Sequence, residues 1–116
     1  MPRIAILDGS RLARAYAAGA LRAGGHEPVE LEPGSVETVV DLLKAQPVAL
    51  LMADSQDPAC PGESLVQACR RDPLLRDLPI LLVAAPAEGV APAPGDLTRP
   101  LAARVLVDRV DQALGA

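Results

Sequence analysis

The chain has 116 residues, of which 50% are hydrophobic, and a formal net charge of −4. This length and apolar content are typical of one domain with its own core and exclude a disordered chain. Tyr16 is the only residue among Phe, Trp and Tyr, and no basic run occurs, which excludes base-stacking platforms and direct binding of nucleic acid. We predict a single domain over residues 1–116, either as a whole protein or as part of a larger one.

Cysteine and histidine are scarce. Cys60, Cys69 and His26 are too few and too far apart in the sequence for a zinc site. Two isolated cysteines are more typical of the reducing cytosol than of a disulfide framework. The apolar stretch after Arg3 has four residues, too few for a signal peptide or a membrane span. We therefore expect a cytoplasmic protein with no membrane segment.

Strands and helices alternate along the first half of the chain. An apolar strand over residues 3–8 precedes a helix that Ser10 can cap and that Gly24 ends. The apolar face expected for this helix recurs at helical spacing: Leu12, Ala15, Tyr16, Gly19 and Ala23. The next strand, 26–31, is less apolar and is expected nearer a sheet edge. Ser35 can cap a second helix, whose predicted face is Val36, Val39, Val40 and Leu43.

The second half continues this alternation. An unbroken apolar run over residues 48–53 leads into Asp54, as in a strand that is covered on both faces. A helix from Gly62 and a buried strand over 80–85 follow. Residues 86–95 contain three prolines and two glycines, so we expect a loop with at most one helical turn. A very short strand over 96–98 precedes a last helix beginning at 99–100, with a predicted inward face of Ala102, Val105, Leu106, Val110 and Ala113.

This order predicts an α/β fold in which parallel strands are joined by right-handed crossovers. In an open parallel sheet, ligands and chemistry lie just past the carboxyl ends of the strands. Asp54 follows the most apolar strand and is therefore a candidate functional carboxylate. A polar residue that only ends a strand and begins a turn would fit the same position equally well.

Three stretches, in order along the chain, carry a resemblance to a known family. Residues 4–12 place Asp8 at the end of the first strand. The spacing D-x-x-x-P-x-x-x-G-x-x-L begins at Asp54 and is completed by Pro58, Gly62 and Leu65. Residues 70–80, Arg-Arg-Asp-Pro-Leu-Leu-Arg-Asp-Leu-Pro-Ile, match the end of a third helix and the start of a fourth strand. Over essentially its whole length the chain resembles a response-regulator receiver domain, which implies a flavodoxin-like, doubly wound sheet of five parallel strands.

The resemblance assigns a role to several residues. In such domains a histidine kinase phosphorylates the central aspartate, so Asp54 occupies the phosphoacceptor position. The family holds Mg²⁺ with carboxylates and one backbone carbonyl, which implies Asp8, Asp54 and the carbonyl of Gln56 as metal ligands. The remaining two positions are Ala84, where the family has Thr or Ser, and Arg99, where it has Lys.

The chain departs from the family at most of these positions. Gly9 replaces the second member of the acidic pair, and Ala84 lacks the hydroxyl that would bond the phosphoryl group. Arg99 keeps a positive charge, but a planar guanidinium does not reproduce a compact ammonium. Asp96 stands near the place of the aromatic switch residue. The 84–99 segment is too short for the usual fourth helix, which we expect to be missing or reduced.

We therefore predict an atypical receiver, or pseudo-receiver, of two-component or phosphorelay signalling that acts mainly by protein–protein contact. The alternative is a working receiver that a histidine kinase phosphorylates on Asp54 with Mg²⁺. Enzyme activity is not expected, and the predicted cofactor is none or weakly bound Mg²⁺. The expected partner is a histidine kinase or another signalling protein, with a homodimer left open. Asp8 and Asp54 could equally be ion-pair partners of Arg99, without any phosphate.

Overall fold

The computed structural model describes residues 1–84, 97–98 and 102–115. Its elements in chain order are β1 (Arg3–Leu7), α1 (Arg11–Ala23), β2 (Glu27–Leu31), α2 (Val36–Ala45), β3 (Leu50–Asp54), α3 (Gly62–Arg71), β4 (Ile80–Ala84), β5 (Leu97–Thr98) and α4 (Ala103–Ala113). The α/β fold with a parallel sheet is confirmed. Within these residues, no helix has both the length and the apolar sequence needed to span a bilayer.

The strands lie in the order β2-β1-β3-β4-β5, and every pair is parallel. β2 is at one edge, as its lower apolar content predicts. β3 lies in the middle, and its residues Leu50 to Ala53 are all buried. Asp54 is the last residue of this central strand, so its carboxylate is delivered to the carboxyl edge of the sheet.

The prediction of a five-stranded sheet needs correction, because only four strands are full strands. β1 to β4 have five residues each, whereas β5 has two. β5 pairs Leu97 with Val83 and Thr98 with Ala84. The sequence gives the physical reason: Gly95 and Pro100 flank this segment, and proline cannot donate a hydrogen bond to a sheet ladder.

Two helices cover each face of the sheet, because successive residues of a strand point to opposite faces. α1 and α4 pack on one face, over a core of Ile4, Ile6, Ala17, Ala18, Leu21, Leu50, Met52, Val83, Leu97, Leu106 and Val110. α2 and α3 pack on the other, over Ala5, Leu7, Val39, Leu43, Leu51, Ala53, Cys60, Leu65, Cys69, Leu75 and Leu78. We call these the α1/α4 face and the α2/α3 face.

The face predicted to be buried on α1 is wrong. The buried residues of the helix are Arg14, Ala17, Ala18 and Leu21, whereas Leu12, Ala15, Tyr16, Gly19 and Ala23 are exposed. Both sets recur at helical spacing on an alanine-rich helix, so periodicity alone cannot choose between them. Burial of Arg14 decides the orientation: its stem lies inside while its guanidinium reaches polar partners at the edge of the sheet.

The last helix also departs from its predicted face. Leu106 and Val110 are buried as predicted, but Ala102 is exposed and Val105 is 50% exposed. The predicted start of this helix at 99–100 lies outside the described residues. So does the 86–95 segment, and with it the prediction of a missing or reduced fourth helix.

Candidate functional site

Two carboxylates meet at the carboxyl edge of the sheet, because β1 and β3 are neighbouring parallel strands. Asp8 directly follows β1 and is buried, and Asp54 ends β3 and is half-buried. The Asp8 Oδ1 atom accepts a hydrogen bond of 2.8 Å from the Ser10 amide. This bond holds the turn from β1 into α1, where the Ser10 hydroxyl caps the helix by accepting from the Ala13 amide.

Arg14 fixes the backbone at Asp8. Its Nη1 atom donates a hydrogen bond of 2.6 Å to the Asp8 carbonyl oxygen. The same guanidinium lies 3.7 Å from the Glu30 carboxylate and 3.6 Å from that of Glu32, and the Arg14 side chain is only 9% exposed. A buried arginine with acidic partners ties α1 and the end of β2 to the end of β1. Sequence analysis did not identify Arg14, which looked like one of several scattered arginines.

The loop after Asp54 is held close to the strands. The Asp54 Oδ1 atom accepts a hydrogen bond of 3.1 Å from the Gln56 amide, and the Ser55 amide donates one of 2.9 Å to the Val83 carbonyl. At Gly62 a Cβ atom would lie 2.8 Å from the Ser55 Cα, closer than real Cβ contacts occur. Glycine is therefore required at residue 62 for α3 to begin so close to the end of β3.

A third carboxylate, that of Asp57, points from this loop toward Gly9. The Asp57 Oδ1 atom accepts hydrogen bonds of 2.9 Å and 3.3 Å from the amides of Ala59 and Cys60. A Cβ atom built on Gly9 would lie 3.1 Å from the Asp57 Oδ2 atom. Sequence analysis missed Asp57, because nothing in the sequence places residues 9 and 57 together.

The glycine at residue 9 borders a cavity. A volume of about 420 Å³ opens there, lined by Gly9, Arg11, Arg14, Glu32, Pro33, Asp57 and Ala59. The lining contains two arginines and two acids, so its charges balance. The edge of the sheet beside Asp8 is therefore a mixed-charge cleft with an acid on the loop side.

Comparison with known proteins identifies the architecture. No protein-family model matches the chain, and no curated protein matches it. Among solved structures, a sensor protein from Polaromonas sp. JS666 is 26% identical, with a TM-score of 0.84 over 98% of this chain and 96% of that one. The receiver domain of a signal-transduction histidine kinase from Syntrophus aciditrophicus is 20% identical, with a TM-score of 0.84 over 99% of this chain and 91% of that one. The chain has the receiver-domain fold.

A third structure is that of the receiver domain of a sensor histidine kinase from Pseudomonas aeruginosa PAO1, which has a magnesium ion in its active-site cleft. It is 17% identical, with a TM-score of 0.83 over 99% of this chain and 98% of that one. These matches confirm the resemblance to receiver domains seen in the sequence.

The positions that the receiver resemblance assigns lie on three neighbouring strands. β1 leads to Asp8, β3 ends at Asp54, and β4 ends at Ala84, next to Val83, which pairs with Asp54. Gln56 follows on the exposed side of the loop. Arg99 lies outside the described residues, as does its predicted pairing with Asp8 and Asp54.

The described residues do not supply a full receiver cation site. Asp8 and Asp54 are present, but Gly9 offers no ligand where the resemblance calls for an acid. Across residues 1–84, 97–98 and 102–115, no group of three or more His, Cys, Asp or Glu residues is arranged to hold a metal ion. Asp57 brings a carboxylate near Gly9, yet one of its oxygens is already engaged by two backbone amides.

Proposed function

We propose that this chain is an atypical receiver, a pseudo-receiver of bacterial two-component or phosphorelay signalling. It acts mainly through contact with a partner protein, with weak or no phosphorylation at Asp54. The observation that carries this proposal is the altered carboxylate set: Gly9 stands at the acidic position, and the Asp57 Oδ2 atom lies 3.1 Å from where a Cβ on residue 9 would be. In this proposal the doubly wound receiver scaffold is retained while its phosphate chemistry is reduced.

The chemistry of phosphoryl transfer supports this proposal. The transition state needs its charge neutralised by cations and hydrogen-bond donors more than it needs covalent assistance. Ala84 provides no hydroxyl, and the missing acid at residue 9 weakens any Mg²⁺ site, since Mg²⁺ requires hard oxygen ligands in near-octahedral geometry. With these groups changed, Asp54 remains a carboxylate at the right edge of the sheet but lacks most of the surrounding support.

A second candidate function is a working receiver. Asp54 is half-exposed at the end of the central strand, and Asp8 is retained on the neighbouring strand. A nucleophilic carboxylate in this position is open to a phosphohistidine donor. In this alternative a histidine kinase phosphorylates Asp54 with Mg²⁺ at a weakened site.

Treatment with acetyl phosphate and Mg²⁺, followed by intact mass measurement, distinguishes the two functions. We expect no phosphorylated species, and we expect beryllofluoride with Mg²⁺ to leave the amide spectrum almost unchanged. Asp54→Asn is the matched control, because it keeps the shape of the side chain and removes the nucleophile. Ready labelling of the wild type that is lost in Asp54→Asn would establish the second function instead.

Restoring the family residues tests the cause. We expect Gly9→Asp alone to remain inactive, because its new carboxylate would meet that of Asp57 at close range. The triple variant Gly9→Asp, Asp57→Ala and Ala84→Thr should gain labelling at Asp54 in the presence of Mg²⁺. A folded triple variant that stays unlabelled would contradict the view that these positions limit phosphoryl transfer.

A further inference from the structure

The outer surface of α1 is apolar although it faces solvent. It consists of five exposed residues, here called the α1 stripe: Leu12, Ala15, Tyr16, Gly19 and Ala23. Leu12 is 83% exposed and Tyr16 is 49% exposed. The stripe leads into a groove of about 300 Å³ between the end of α1 and the start of α4, with Ala20, Gly24 and Val107 among its lining residues. An exposed apolar patch of this kind typically marks a binding surface.

Gly19, in the centre of the stripe, has no role in the packing of the described residues. Glycine inside a helix costs about 1 kcal/mol relative to alanine. A Cβ atom built on Gly19 would find no described atom within 4 Å, and the backbone there does not have a positive φ. Neither close packing within the domain nor an unusual conformation explains the residue. The close approach of a backbone from outside the domain would explain it.

The charges on α1 indicate the kind of molecule that approaches. The helix contains Arg11, Arg14 and Arg22 and no Asp or Glu, in a chain of net charge −4. Arg11 and Arg22 are exposed near the two ends of the stripe. A second copy of the chain would bring the same arginines to this surface and be repelled. A partner with acidic residues on either side of an apolar strip would complement both features.

We propose that the α1 stripe docks an amphipathic helix of a partner protein. That helix presents small and aliphatic residues to the stripe and carries Asp or Glu where it passes Arg11 and Arg22. Helices with small residues at their contact approach closely, which accounts for Gly19 and its alanine neighbours. The inference rests on the proposed function in so far as signalling there proceeds by protein contact.

The test uses two synthetic helical peptides of about 18 residues, long enough to form a helix. One has an Ala/Leu face flanked by Glu, and the other has the same face flanked by Lys. Titrated into the ¹⁵N-labelled domain without phosphodonor, the acidic peptide should shift the amides of the stripe, and the basic peptide should not. Equal binding of both peptides, or shifts centred elsewhere, would overturn the proposal. Self-association that maps to α1 would replace the partner by a second copy and would also overturn it.

Gly19→Ala gives the sharpest variant, because its two expected effects have opposite signs. It should raise the stability of the domain by about 1 kcal/mol, since alanine favours the helix. It should also weaken binding of the acidic peptide by about fivefold or more, which corresponds to about 1 kcal/mol. A stabilised variant with unchanged affinity would contradict close backbone approach at Gly19.

Matched surface pairs complete the experiment. Leu12→Ser should abolish binding, whereas Leu74→Ser, at a leucine that is 74% exposed outside the stripe, should not change it. Arg22→Glu should weaken binding, while Arg71→Glu on α3 should leave it unchanged. Equal effects within either pair would count against the stripe. These results do not depend on whether Asp54 is phosphorylated, so failure of the docking surface and failure of the proposed function are separately visible.

Discussion

The two faces of the sheet differ in what they bury. The core of the α2/α3 face consists of apolar side chains and the thiols of Cys60 and Cys69. On the α1 side, Arg14 and His26 are buried as well, and the His26 Nε2 atom lies 2.7 Å from the Asp111 Oδ1 atom of α4. The first face is held by non-directional packing, whereas the second also depends on directional polar contacts between distant parts of the chain.

This difference matters because polar and apolar contacts respond differently to change. Apolar packing tolerates replacements of similar volume, whereas a buried polar pair loses much of its value when one partner is removed. The directional contacts lie on the side of the domain that also carries the α1 stripe. The comparison therefore predicts one face that is a robust core and another whose helices are positioned by a few specific contacts.

The largest effect is expected for a large-to-small substitution on the α2/α3 face. Leu65 is fully buried, and Leu65→Ala should lower the free energy of unfolding by about 3 kcal/mol, through lost burial and the cavity that remains. Urea denaturation monitored by circular dichroism measures this loss. Leu12→Ala, at an exposed leucine of α1, serves as the control and should cost little. Similar losses in both variants would show that α1 is oriented as the sequence pattern predicted, with Leu12 inside.

A smaller but coupled effect is expected on the other face. His26→Leu and Asp111→Ala should each cost about 1–2 kcal/mol, because each leaves the other partner with an unmade hydrogen bond. In a double-mutant cycle the pair should show a coupling of about 1 kcal/mol. The exposed neighbour Gln112→Ala should be nearly neutral. Strict additivity of the two substitutions would remove the polar link from the account of this face.

The smallest effects concern the thiols of the α2/α3 face. Burial raises the pKa of both Cys60 and Cys69, and the nearby Asp57 charge adds to the rise at Cys60. Because the fold favours the neutral thiols, their contribution to stability is present below the pKa of the unfolded thiol, about 8.5, and is lost as the pH rises above it. Unfolding measured between pH 7 and pH 10 should show this decline, and Cys60→Ala should reduce it.

Thiol labelling at neutral pH supplies an independent check on the same face. A buried neutral thiol is a poor nucleophile, so a disulfide reagent should modify the native protein far more slowly than the denatured protein. Rapid labelling of both cysteines in the native state would show that the α2/α3 face opens readily. The robust core described above would then be the wrong description of that face.

Several features were predictable from the sequence because they depend on local patterns. Unbroken apolar runs before Asp54 and from Ile80 predicted buried parallel strands, and Ser10 and Ser35 predicted helix starts that the structure confirms. The spacing from Asp54 to Leu65 carried the resemblance to receiver domains. The fold class, the order of elements and the location of Asp54 at the carboxyl edge all follow from such short-range information.

Other features depended on contacts between residues far apart in the chain. α1 has two apolar stripes at the same period, and only the burial of Arg14 against Asp8, Glu30 and Glu32 decides which one faces the sheet. The approach of Asp57 to Gly9 joins loops that follow different strands, so no local pattern announces it. Periodicity and spacing are properties of neighbouring residues, whereas the choice of a buried face and the meeting of two loops are settled by the packing of the whole domain.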